Sequence, residues 1–322
     1  MTTYKNVRYK LPAVTLSGAT ESSPAAGDIW YDSGKFYLGT SQTLLGVWSS
    51  GGNLATARQF LAGAGTQAAG LCMGGSTGSD SNVTEEYDGS AWSSGGNLAT
   101  ARRYLAGCGT QTAGLCMGGT TGSLSNVTEE YNGSAWSSGG NLGTARYGLA
   151  GAGTQTAGLS MGGNDGSDSN VTEEYNGTSW SSGGNLGTAR QKLAGAGTQS
   201  AGLCMGGSTG PASAVTEEYN GTSWSAGGAL ATARENSAGA GTQSAGLCTG
   251  GEGPLDSTEE YDGTAWSAGG DLVTARGALA GAGTQSAGLC MGGSTGSVSN
   301  VTEEYDTNIG SYDELFSPAQ GL

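Results

Sequence analysis

The chain has 322 residues, 64 of them glycine and 5 proline, with 12 basic against 27 acidic side chains and a formal charge of −15. So acidic a balance disfavours a basic nucleic-acid surface, and no nucleic-acid partner is expected. The chain has no histidine, which removes His-based catalytic triads and His-ligated metal sites.

In chain order, residues 1–22 carry Lys5, Arg8 and Lys10 and no long apolar run, so they read as an N-terminal arm. Neither a signal peptide nor a membrane-inserting span is expected. Residues 23–47 read as a β-hairpin connector, with Trp30, Tyr31, Phe36 and Tyr37 placed around a Ser-Gly turn. A repeat then takes over from 48 to 308, and residues 309–322 read as a C-terminal tail. Trp48, Trp92, Trp136, Trp180, Trp224 and Trp266 fall at steps of 44, 44, 44, 44 and 42. Fixed self-similarity of that length signals a repeat architecture.

Each repeat breaks at turn residues into four short runs: in one copy YLAGCGT (104–110), GLCMG (114–118), NVTEEY (126–131) and SAWSS (134–138). Asn-Gly between the last two is a strong hairpin signal, because both residues tolerate positive φ. Four antiparallel strands per repeat make a propeller blade, so the fold class expected is all-β. The paired glycines (Gly118, Gly119), the Tyr (Tyr131), the Trp five residues on (Trp136) and the Thr-Ala-Arg lead-in (Arg146) resemble the kelch repeat. The repeat is shorter than the usual kelch length of about 50. The resemblance implies a kelch-like β-propeller with a binding surface, and does not name a ligand.

The lead-in arginines Arg58, Arg102, Arg146, Arg190, Arg234 and Arg276 number six, and so do the Trp strands, offset by one strand. Six blades are therefore expected, with the Trp48 strand closing the ring as the outer strand of the last blade. The rival is seven blades, in which residues 13–48 form a degenerate blade and Ile309–Tyr312 supplies the missing outer strand. Each tryptophan is expected to wedge between its own blade and the next. One Glu of each Thr-Glu-Glu-Tyr run is expected to meet a lead-in Arg in a bidentate pair. The cysteines Cys72, Cys116, Cys204, Cys248 and Cys290 recur in the second run as small buried thiols. Cys108 is expected opposite Cys116, with both left as thiols by assembly in a reducing cytoplasm.

No enzyme, cofactor or metal site is expected. The kelch copper oxidases depend on His ligands, sialidase propellers cluster arginines that are here spread one per blade, and no phosphate-cradling loop or EF-hand pattern occurs. Comparing the repeats with one another is more telling. The pair after each lead-in Arg varies: Gln59-Phe60, Arg103-Tyr104, Tyr147-Gly148, Gln191-Lys192, Glu235-Asn236, Gly277-Ala278. So does the loop between the second and third runs, whereas the Thr-Gln-Thr-Ala-Gly and Asn/Asp-Gly turns hardly change. In a four-stranded meander both variable places emerge on one face, around the central channel, and loops on a rigid scaffold are where binding sits. The candidate ligand-binding residues are Phe60, Arg103, Tyr104, Tyr147, Gln191, Lys192, Glu235 and Asn236, centred on Arg103, Tyr104 and Tyr147.

The run GDIWYDS before the KFY strand resembles a short element common at the N-termini of bacteriophage tail and fibre proteins. Joined to the repeats, it implies a phage virion protein, assembled in the bacterial host cytoplasm. Its arm would meet other phage structural proteins and its propeller face a host-surface glycan or protein. The alternative is a structural or decoration subunit that reads no ligand. A homo-oligomer is left open.

Overall fold

The computed structural model describes residues 45–307, together with the backbone strands Ile29–Asp32, Lys35–Leu38 and Asp313–Phe316. Six four-stranded antiparallel sheets make a six-bladed β-propeller, and the described residues contain no helix. The first blade runs Ala62–Thr66, Ala69–Met73, Thr84–Tyr87 and Trp92–Ser94, from the axis outward. The second runs Ala106–Thr110, Ala113–Met117, Thr128–Tyr131 and Trp136–Ser138, and the next three repeat the plan. The innermost strands touch in a closed circle, sixth against first included.

That circle explains the Ala-Gly alternation of the inner strands. The alanines are buried in the sheet cores. The glycines lie against the neighbouring blade: a Cβ on Gly63 would sit 2.6 Å from Gly281 O, and one on Gly107 would sit 3.0 Å from Gly63 O. No larger residue fits this close approach of two backbones.

The sixth blade is Ala280–Gly283, Ala287–Met291 and Thr302–Asp306, and its outer strand is Val47–Ser50 from the N-terminal side. Trp48 pairs with Tyr305 in that ladder. The seven-bladed rival gave this place to 309–312, residues that lie outside the described ones, and it is excluded because the place is taken. The hairpin expected within residues 23–47 exists as Ile29–Asp32 paired with Lys35–Leu38. The tail adds what the sequence did not announce: Asp313–Phe316 pairs with Lys35–Leu38 as a third strand. These strands belong to a compact unit of their own.

Two layers of polar bonds bind each blade internally and to its neighbour. Inside the second blade, Arg102 is fully buried; its Nη1 donates to Gly118 O (2.7 Å) and Val127 O (2.8 Å), and its Nη2 to Glu129 Oε1 (2.9 Å). The pair is thus not the bidentate one expected. Glu129 Oε2 is taken by the Ala99 backbone N–H (2.7 Å), so one Arg–Glu pair ties the lead-in, the second strand and the third strand together. Between blades, Trp136 Nε1 donates to Thr84 Oγ1 (2.9 Å) in the first blade while its ring tilts over Tyr131, centroids 4.9 Å apart. The tryptophans therefore wedge toward the preceding blade, not the next.

The cysteines are free and buried. Burial pushes the Cys72, Cys116 and Cys204 thiols up to about 11, and those of Cys108 and Cys290 to about 12. Cys108 stands opposite Leu115, and Gly107 opposite Cys116. The pairing is slipped by one residue from the expected one, and that slip turns Cys108 and Cys116 to opposite faces of the sheet.

A second inter-blade bond carries a pH signature. Tyr131 OH donates to Glu86 Oε1 of the preceding blade (2.5 Å), and the same link recurs around the ring to Tyr87–Glu304 and Tyr305–Glu260. Burial, then the bond to the carboxylate, pushes the Tyr87, Tyr131, Tyr175, Tyr219 and Tyr261 phenols up to about 12, and Tyr305 is raised further. An unfolded phenol titrates near 10. A raised folded value means stability that is whole below pH ~10 and drains away as pH climbs through the folded value. The urea midpoint is expected to fall between pH ~10 and ~12, and Tyr131→Phe is expected to lessen that fall by the share of one link. An identical pH slope in the variant would remove the tyrosines from the account.

Candidate functional site

At the face where the lead-ins enter the blades, one residue per blade turns into the left-handed region. Phe60, Tyr104, Gly148, Lys192, Asn236 and Ala278 have φ of 56°, 55°, 61°, 56°, 53° and 55°. The conformation has a purpose. Tyr104 N donates to Phe60 O (2.9 Å), Gly148 N to Tyr104 O (2.8 Å), Lys192 N to Gly148 O (2.6 Å), Asn236 N to Lys192 O (2.9 Å), Ala278 N to Asn236 O (2.8 Å) and Phe60 N to Ala278 O (2.8 Å). Six blades are thereby joined by one closed circle of backbone hydrogen bonds about the propeller axis. Every other positive-φ position in the described chain is glycine. Here five of six copies keep a side chain, in a conformation that costs a non-glycine residue on the order of 1 kcal/mol or more.

These six residues and the next residue of each blade, five leucines and Ser237, line an axial cavity of about 80 Å³. Its rim has two halves. Phe60 and Tyr104 stack with centroids 4.0 Å apart, and Tyr147 meets Tyr104 edge-on at 5.6 Å, so the first three blades present an aromatic arc. The fourth and fifth blades present charge: Lys192 Nζ lies 3.3 Å from Glu235 Oε1, and Asn236 Nδ2 donates to Glu252 Oε2 (2.6 Å). Burial, with the Glu252 carboxylate as the next contributor, pushes the Tyr104 phenol up to about 12, so it stays a proton donor at any ordinary pH.

The variable pair divides its labour, which the sequence did not show. The second residue of each pair stands in the axial ring. The first pairs with the loop between the second and third strands: Gln59 with Ser76, Arg103 with Thr120, Tyr147 with Asn164, Gln191 with Ser208 and Gly277 with Ser294. In the fifth blade Glu252 N donates to Glu235 O instead (2.8 Å). Phe60, Tyr104, Lys192 and Asn236 are thus brought together at the axis, while Arg103, Tyr147, Gln191 and Glu235 lie one step outward. Arg103 is engaged already, its Nη1 2.6 Å from Asp80 Oδ1.

The opposite turns are constant for reasons of their own, beyond any lack of a ligand. Gln111 Nε2 donates across to Gly70 O (3.0 Å) and Tyr87 O (2.7 Å) of the preceding blade, and Gln67, Gln155, Gln199, Gln243 and Gln285 do the same. The Asn/Asp-Gly turns are fixed by their own side chain: Asn132 Oδ1 accepts from Ser134 N (3.0 Å) and Ala135 N (2.9 Å). Structural bonds hold both turns constant, so the strained ring, not the contrast in variability, singles out the candidate face.

No family model matches the chain, and no curated protein does. Among solved structures it resembles the one titled "Structure of YjhT", with a TM-score of 0.66 at 13% identity, over 80% of this chain and 96% of that one. The likeness is one of fold.

Proposed function

We propose that the chain is a bacteriophage virion protein whose propeller face binds a host-surface glycan or protein, without catalysing a reaction. Its N-terminal arm attaches it to other phage structural proteins. The observation that carries the binding reading is the strained ring. In a chain so rich in glycine, Phe60, Tyr104, Lys192, Asn236 and Ala278 hold left-handed positions that glycine would fill without cost, and each copy holds a different side chain. Strain kept in place of an available relief points to what the side chains do. Aromatic faces with polar neighbours on a rigid rim are the material of binding hot spots. The kelch-like repeat and the GDIWYDS run support the virion reading, by resemblance.

Changing Arg103, Tyr104 and Tyr147 together to Ala is expected to abolish attachment of the purified protein to host cells, since each hot-spot side chain lost costs on the order of 2 kcal/mol. The melting temperature is expected to change little, because Tyr104→Ala removes stacking from a residue that stays in the backbone circle. Normal attachment by the triple variant would favour the decoration alternative. Mass measurement of purified particles tests the virion assignment separately.

A further inference from the structure

The blade whose variable pair carries the least side chain, Gly277-Ala278, holds a cavity larger than the axial one. Gly277 and Ala278 form a buried floor, and their small size opens about 160 Å³ above the sixth blade. Phe60 and Gln59 of the first blade form one wall and Ser294 lies beside them; Glu252, Gly253 and Pro254 of the fifth blade form the exposed opposite rim. Two departures from the repeat meet here. One is the small pair itself. The other is the fifth loop, where the Trp spacing drops from 44 to 42. Gly277 is fixed by that loop: a Cβ on it would lie 2.6 Å from Gly251 O.

Resting on the binding reading above, we propose that this cavity is the primary subsite for the terminal residue of a host glycan, and that it takes a neutral or amino sugar and refuses an acidic one. One face of the Phe60 ring is covered by Tyr104, at 4.0 Å, and the ring also walls the cavity, where it offers an apolar surface to the C–H face of a sugar. Gln59, Ser294 and the Glu252 carboxylate supply donors and acceptors for hydroxyl groups around it. Among the described residues, no basic side chain lines the cavity. The nearby cations are engaged elsewhere, Arg103 on Asp80 and Lys192 on Glu235. A carboxylate ligand would meet Glu252 with no counter-charge, whereas an ammonium would meet it as a charge-assisted hydrogen bond. The small floor admits one sugar ring, which makes the subsite selective by size as well as charge.

The test is saturation-transfer NMR on the full chain with three probe sets: methyl glycosides of neutral hexoses, the matching 2-amino-2-deoxy sugars, and the matching uronic acids. The neutral and amino sets are each expected to include a binder, and the uronic acids none. Phe60→Ala and Ser294→Phe, the second filling the cavity, are expected to remove binding. Glu252→Gln can keep the bond to Asn236, and it is expected to cost amino sugars at least tenfold while neutral sugars change little. Uronic acids binding best, no neutral or amino sugar binding, or binding untouched by Phe60→Ala and Ser294→Phe would each overturn the subsite. Attachment to host cells is measured alongside. Wild-type attachment with no sugar bound sinks the subsite alone, and loss of both sinks the binding reading with it.

Discussion

Replacing Arg102 by Met is expected to destabilise the propeller by about 3–5 kcal/mol, the usual cost of removing one partner of a buried ion pair. Arg102 is fully buried, and its loss leaves the Glu129 carboxylate without its counter-charge and Gly118 O without a donor, while Val127 O keeps the Gly118 N–H. Buried ion pairs elsewhere are often replaced by apolar side chains at no cost. Here that remedy is expected to fail. In Arg102→Met/Glu129→Leu the charge is gone, but Gly118 O and the Ala99 N–H, which Glu129 Oε2 accepts from at 2.7 Å, lose their partners, while Val127 O keeps the Gly118 N–H. A buried orphan such as Gly118 O costs about 1–3 kcal/mol, and the part-buried Ala99 N–H adds less. Urea midpoints of wild type, single and double variants decide the matter. Full recovery in the double variant would mean that charge pairing alone is at stake, and that the Arg is not a bracket for backbone.

That bracket shows how far the sequence can be followed. The 44-residue period, the four runs and the six-fold count are legible because tandem copies repeat every signal, so the blade and its closing strand follow from counting. The Arg–Glu meeting is legible too, since each lead-in Arg recurs with a Thr-Glu-Glu-Tyr run. What escapes is finer than the repeat. The Cys108 register slips by one residue because the turn Gln111-Thr112 carries no glycine to mark its centre. The direction of the tryptophans depends on how blades twist against each other, and no single strand encodes that. At the candidate site the variable pairs can be seen, but not that one member turns left-handed into an axial ring while the other pairs outward. The recurrent Gln67, Gln111, Gln155, Gln199, Gln243 and Gln285 are a visible signal for the inter-blade staple, although within one repeat each reads only as a turn residue. The sixth-blade cavity is hidden for a physical reason: small side chains look like missing function in a sequence and like space in a structure.

The largest effect expected is at the closure of the ring, and two truncations isolate it. Removing residues 1–44 takes away only part of the separate compact unit, so the propeller's melting is expected to stay within a few degrees of the full chain. Removing residues 1–50 also takes the strand Val47–Ser50. With it goes the ladder to Thr302–Asp306, from Glu303↔Ser50 to Asp306↔Val47. Trp48 goes as well: it is 3% exposed, lies over Tyr305 at 4.9 Å and donates through Nε1 to Thr258 Oγ1 in the fifth blade. A buried Trp alone is worth about 3–5 kcal/mol, and each ladder bond adds about 1 kcal/mol. The sum is on the order of 5–10 kcal/mol, comparable to the whole stability of an ordinary domain. The unpaired edge of Thr302–Asp306 is then a template for another chain, so the chain lacking residues 1–50 is expected to associate as well as to melt early. Circular dichroism melts and size-exclusion chromatography of the two truncations read both effects. If the loss of six further residues leaves melting and size as they are in the 45–322 chain, the ring is held without its clasp, by the axial circle of backbone bonds and the Tyr–Glu, Gln and Trp–Thr links.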